Sequence, residues 1–110
     1  MSTKKIRSVD QVIASMSHRF QAEASKNIKA SYQWSISGEN GREFCVQVND
    51  GSFSVVDGRV EKPSVTFETD DVTYLRLVNN EIKGMTAILT RKLMVRGNIY
   101  LASKMDQIFK

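Results

Sequence analysis

Cysteine is almost absent from this chain. Cys45 is the only one, so no internal disulfide can form, and neither a CxxC pair nor a His/Cys cluster is there to hold a metal. Disulfide redox chemistry and zinc binding are excluded on that ground. Histidine is as scarce: His18 stands alone on the polar side of a helical pattern, with no nucleophile or carboxylate arranged around it. It reads as a solvated surface residue, and Cys45, between Phe44 and Val46, as a buried inert thiol. No stretch approaches the roughly 18 apolar residues that span a bilayer. Met1 to Lys5 is polar and basic with no apolar signal-peptide core behind it, so a cytoplasmic protein is expected. One proline, no repeat and no low-complexity run leave no linker at which to divide the chain.

What is present fits one domain over residues 1–110, with 1–7 flexible: 41% hydrophobic and 25% charged residues are ordinary globular values. The formal charge of +4 suits anionic surfaces, but long runs of like charge are lacking, which points to a solvated basic surface.

Ser8-Val9-Asp10-Gln11 has the form of a capping box, and Val9, Val12, Ile13, Met16 and Phe20 follow at helical spacing, predicting a helix over 8–24. The period then switches to two. Tyr32, Trp34 and Ile36 alternate with polar residues, Gly38-Glu39-Asn40-Gly41 supplies a hairpin turn, and Phe44, Val46 and Val48 resume the alternation. Asn49-Asp50-Gly51 and Asp57-Gly58 turn the chain into Phe53 and Val55 and then into Val65-Thr66-Phe67, giving four short antiparallel strands. Asp70-Asp71 caps a helix carrying Val72, Leu75 and Val78. A short helix over Gly84 to Thr90, a fifth strand over Lys92 to Arg96 and a last helix capped by Asn98 complete an α+β layout, with one sheet covered mainly on one face.

From Trp34 onward this arrangement resembles the sterol carrier protein 2 domain family. A Trp-bearing strand leads through two Gly turns to a Thr-Phe strand and an Asp-capped helix. Gly84-Met85-Thr86-Ala87-Ile88-Leu89-Thr90-Arg91-Lys92-Leu93-Met94-Val95-Arg96-Gly97-Asn98 is similar to the family's helix, Thr-Gly-Lys-Leu, strand and Gly-Asp pattern. The likeness covers about residues 8–109. Two positions depart from it: Asn98 replaces Asp, which caps a helix about as well, and Arg91 replaces Gly, which costs strain wherever the turn needs a positive φ. The chain ends in Gln107-Ile108-Phe109-Lys110, without the family's peroxisomal address, and no enzyme domain is attached, so a stand-alone prokaryotic-type member is expected.

The resemblance implies a five-stranded, mainly antiparallel sheet covered by several helices, with an apolar tunnel between the layers, and non-enzymatic binding and carriage of a fatty acyl, phospholipid, sterol-like or isoprenoid chain. The expected lining is Trp34, Phe53, Leu75, Met85, Ile88, Leu89, Met94, Leu101, Met105 and Phe109, where flexible methionines can repack around chains of different length. The two-helix segment between the fourth and fifth strands and the last helix would be the moving lid. Lys83, Arg91, Lys92 and Arg96 are expected to meet a head group, or an anionic membrane during transfer. No cofactor is implied, and the expected form is a monomer or weak homodimer. Asp50, Asp57, Asp70 and Asp71 all sit at turns or caps, which explains them without catalysis.

Two other readings compete. An accessory subunit could present lipid or quinone intermediates to a lipid-processing enzyme through the same tunnel. A nucleic-acid module could stack bases on Tyr32, Trp34, Phe44 and Phe53, but these share a face with Ile36, Val46 and Val48, which marks a core face instead.

Overall fold

The computed structural model describes residues 5–109. Helix α1, Val9–Arg19, starts at the expected cap, the Ser8 hydroxyl accepting the Gln11 N–H at 3.2 Å. The Gln11 side chain reaches back to the Arg7 N–H at 2.7 Å, one residue before the position a capping box uses. The expected end at residue 24 is not reached. Phe20 turns extended (φ −68°, ψ 129°) and bridges to Phe109, so α1 stops at Arg19 and a single 3-10 turn, Glu23–Ser25, follows. Of the stretch expected to be flexible, residues 1–4 lie outside the described residues, while Ile6 is tied to Asn79 by two hydrogen bonds of 2.8 Å.

Strands β1 (Lys29–Ser37), β2 (Glu43–Asn49), β3 (Ser52–Asp57), β4 (Val65–Asp70) and β5 (Leu93–Gly97) form one sheet in the order β3-β2-β1-β4-β5. The two expected hairpins are present, with Trp34 opposite Phe44 and Val48 opposite Phe53. The expected run of four antiparallel strands fails at β4, which lies parallel to β1 with Phe67 opposite Trp34. The alternative edge, β3, would have given it half-buried neighbours. Beside β1, Val65 and Phe67 join Tyr32 and Trp34 in a layer whose members are at most 7% exposed, and that burial favours the parallel pairing.

The parallel pairing forces residues 58–64 to cross the outer face of the sheet. Gln33, 2% exposed, holds this crossover: its amide N–H groups donate to Phe44 O at 3.1 Å and Gly58 O at 3.0 Å, and its Oε1 accepts the Val60 N–H at 3.0 Å. Ser31 and Ser64 add a reciprocal pair, each hydroxyl accepting the other's backbone N–H, at 2.8 and 3.0 Å. Cys45, opposite Gln33 on this face, is fully buried, and burial pushes its thiol pKa up, as an inert structural cysteine requires.

Helices α2 (Asp71–Val78), α3 (Gly84–Leu89) and α4 (Ile99–Ile108) follow β4 and β5. Asp70 caps α2, accepting the Thr73 N–H at 2.7 Å and its hydroxyl at 2.9 Å, and Asn98 caps α4 through the Leu101 N–H at 3.0 Å. The expected inner stripe of α2 is corrected at its start. Val72 faces out at 65% exposure, and Thr73 and Tyr74 are buried in its place. Turned this way, α2 sets the Tyr74 ring edge-on to Trp34, 4.9 Å between centroids, and an aromatic ring removes more apolar surface from water than a valine can.

Candidate functional site

The strand alternation places Tyr32, Trp34, Phe44 and Phe67 on the face that α1, α2 and α4 cover. Trp34 stacks on Phe67 at 4.4 Å and is 7% exposed. Its indole Nε1–H is buried and has no hydrogen-bond partner among the described residues. At the other end of this layer Phe53 lies between Phe20, at 4.7 Å, and Phe109, at 5.2 Å. Leu75 of α2 and Leu101 and Met105 of α4 are partly buried against the same core. Trp34, Phe53, Leu75, Leu101, Met105 and Phe109 are therefore brought together between sheet and helices.

The other four expected lining residues are elsewhere. Met85, Ile88 and Leu89 project from α3 at 65%, 40% and 75% exposure, and only Ala87 of that helix is buried. Met94 is opposite Glu68 on the outer face of the sheet and is 49% exposed, because β5 turns Leu93 and Val95 inward and so Met94 and Arg96 outward. The four expected head-group cations also divide. Lys83, Arg91 and Lys92 flank α3, whereas Arg96 is on the outer face, 3.5 Å from Glu68. Arg91 has φ 61°, the left-handed conformation in which glycine is strain-free and an arginine is not.

One polar link joins α4 to the sheet at Tyr32. The Tyr32 hydroxyl donates to Leu101 O at 2.8 Å, and burial pushes its pKa up to about 12, so it stays a donor over the physiological range. Burial pushes the Tyr74 phenol up as well, against the nearby Arg19 charge. The Thr73 N–H holds the Asp70 carboxyl below the usual carboxylate range. A surface depression of about 260 Å³ is lined by Ser8, Val9, Asp10, Asn40, Gly41 and Arg42, away from all the expected lining residues, and Arg42 there pairs with Asp10 and Asp57. Among the described residues no group of three His, Cys, Asp or Glu could hold a metal ion, and no helix is long and apolar enough to cross a membrane.

Sequence reasoning set Tyr32 on the core face with Trp34 but left it, Phe67 and Tyr74 out of the expected lining. For Tyr32 the signal was available, since it alternates in phase with Trp34 on one strand, whereas Phe67 joins Trp34 only through the parallel register of β4 on β1. Tyr74 was hidden because Val72, Leu75 and Val78 offered an equally regular stripe.

The arrangement is a sheet with an aromatic inner face under a thin helical cover whose seam is apolar. Residues 10–110 match the SCP-2 sterol transfer family, and the chain belongs to that family. Membership places it among lipid- and sterol-transfer domains. One relative is the Oleate-induced peroxisomal protein POX18 of Candida maltosa, 29% identical over 91 residues, 80% of this chain and 72% of that protein. Another is the Peroxisomal multifunctional enzyme A of Dictyostelium discoideum, also 29% identical, of which the chain spans 21%. Among solved structures, the inverting sec-alkylsulfatase of a Pseudomonas species superposes with a TM-score of 0.81 at 12% identity, over 94% of this chain and 16% of that enzyme. The palmitated sterol carrier protein 2-like protein of Aedes aegypti gives 0.70 at 15% identity, over 91% and 88% of the two chains. A ubiquinone synthesis protein, UbiJ-SCP2, gives 0.72 at 10% identity, over 90% of each. At these identities the structural likenesses show the fold.

Proposed function

We propose that this protein is a single non-enzymatic domain that binds and carries a lipid chain between the inner face of the sheet and helices α2 and α4. The observation that carries the reading is the half-buried seam. Leu75, Leu101 and Met105 pack on the core without being sealed by it, so the helices can part from the aromatic layer and leave an apolar space. Trp34 supports it: an unpartnered buried N–H is costly, and a polar atom admitted into that layer would relieve it. Palmitate in the mosquito relative of the same fold fits a linear acyl chain. Each methylene taken from water contributes roughly 0.8 kcal/mol, so a chain of about 16 carbons gains on the order of 12 kcal/mol before association costs, enough for micromolar binding or tighter.

Titration with a fluorescent fatty acid tests this directly. Saturable binding that changes little with salt supports burial of the chain, and binding that vanishes in moderate salt would show surface adsorption of the carboxylate instead.

A second reading is favoured by the ubiquinone synthesis protein of the same fold: the chain presents an isoprenoid or other lipid intermediate to a biosynthetic enzyme. A stable complex with such an enzyme on co-purification would select it. Base stacking is the less favoured reading, because three of its four candidate aromatics, Tyr32, Trp34 and Phe44, are inside the core.

A further inference from the structure

Helix α3 gives Ala87 to the core and presents three large apolar residues to solvent, where they cost solubility without adding to the core. The charge along this part of the sequence is one-sided. Residues 82–105 contain five of the sixteen basic residues and none of the twelve acidic ones, which leaves eleven basic against twelve acidic in the rest of the chain. The neighbouring acids are already engaged: Glu81 pairs with Lys5 at 2.6 Å, Glu68 with Arg96 at 3.5 Å, and Asp70 caps α2 through the Thr73 N–H at 2.7 Å. Lys83 and Arg91, at the two ends of α3, form no ion pair among the described residues. Arg91 is also held at φ 61°, so a cation occupies a corner where glycine would be the unstrained residue.

We infer that α3 and the turn that follows it are a docking knob for an anionic lipid bilayer: Met85, Ile88 and Leu89 insert among the acyl chains while Lys83, Arg91 and Lys92 pair with lipid phosphates. Three flexible aliphatic side chains ringed by cations match the layered chemistry of a membrane surface, apolar within and anionic at its face. A protein partner is less well matched, since a six-residue helix offers a small fraction of the roughly 800 Å² that a stable interface takes from each side. The knob would hold the carrier on the bilayer while ligand exchanges, but docking stands apart from carriage, because it needs no bound ligand.

The test is co-sedimentation of the protein with vesicles of phosphatidylcholine alone and with vesicles containing phosphatidylserine, at low and at physiological salt. Binding should be confined largely to the anionic vesicles and should weaken as salt rises. Leu89→Asp should reduce it by about tenfold or more, from lost apolar insertion together with repulsion from the anionic face. Arg91→Gly and Lys83→Ser should each reduce it about fivefold. All three sites are exposed, so the variants should keep the native circular dichroism spectrum and fatty-acid titration. Equal binding to both vesicle types, no binding to either, or full binding by Leu89→Asp would overturn the inference. Vesicle binding by a protein that takes up no fatty acid would retain the knob and remove the carrier reading.

Discussion

Arg91 is where local backbone cost and long-range role come apart. In the left-handed region a side chain crowds its own carbonyl, and Asn and Asp relieve this with local hydrogen bonds in a way that Arg does not. Arg91→Gly is therefore expected to raise unfolding stability by about 0.5–1 kcal/mol in urea titration, while the same variant loses vesicle affinity. A destabilised variant would mean that the arginine makes contacts that outweigh its strain. Gln33 is the opposite case, a residue whose side chain holds a whole segment. Gln33→Leu leaves the Val60 N–H and the Gly58 carbonyl without partners under the crossover, so a loss of about 2–4 kcal/mol is expected in the same measurement. The role of Gln33 was not legible in the sequence. It alternates with Tyr32 and Trp34 like any solvent-facing strand residue, and only the parallel docking of β4 brings residues 58–64 over it.

Among elements, those fixed by nearby residues were readable and those fixed by distant ones were not. The caps at Ser8, Asp70 and Asn98, the two hairpins and the last helix follow from chemistry within a few residues of each other. The early end of α1 depends on Phe20 pairing with Phe109, and the rotation of α2 on Tyr74 meeting Trp34, contacts that no local pattern encodes. The Asp70 cap makes the start of α2 sensitive to acid. Its carboxyl pKa is lower folded than unfolded, so its contribution is complete above the unfolded value of about 3.9 and is lost as pH falls through the folded value below that. Between about pH 5 and pH 3, the urea midpoint of Asp70→Asn should accordingly fall less than that of the natural chain; equal falls would assign the acid sensitivity to other carboxylates. On α4, Met105→Lys places a charge in the apolar seam, whereas His18→Lys on the exposed side of α1 does not. Fatty-acid affinity should drop by about tenfold or more for the first and stay unchanged for the second, with circular dichroism checking that both fold. Equal small effects would remove the ligand from beneath α4.

At the scale of the whole molecule, the sheet and its cover divide the work. The sheet supplies an aromatic layer, the crossover lies over Gln33 on its outer side, α2 and α4 close over its inner face along an apolar seam, and α3 buries Ala87 while turning Met85, Ile88 and Leu89 to solvent. The α+β class and strand count were legible from the period changes along the chain. The division of the apolar residues was not, because core, seam and exposed knob use the same residue types at the same spacing. Met105, Met85 and Met94 look alike in sequence, yet one lies in the seam, one on α3 and one on the far side of the sheet. Native mass spectrometry of the purified protein, followed by solvent extraction of whatever it holds, tests lipid carriage most directly. A complex heavier than the chain by the mass of one lipid, with a fatty acid, phospholipid or isoprenoid in the extract, is the predicted result. A bare chain that also takes up no added fatty acid would contradict lipid carriage and leave a closed core.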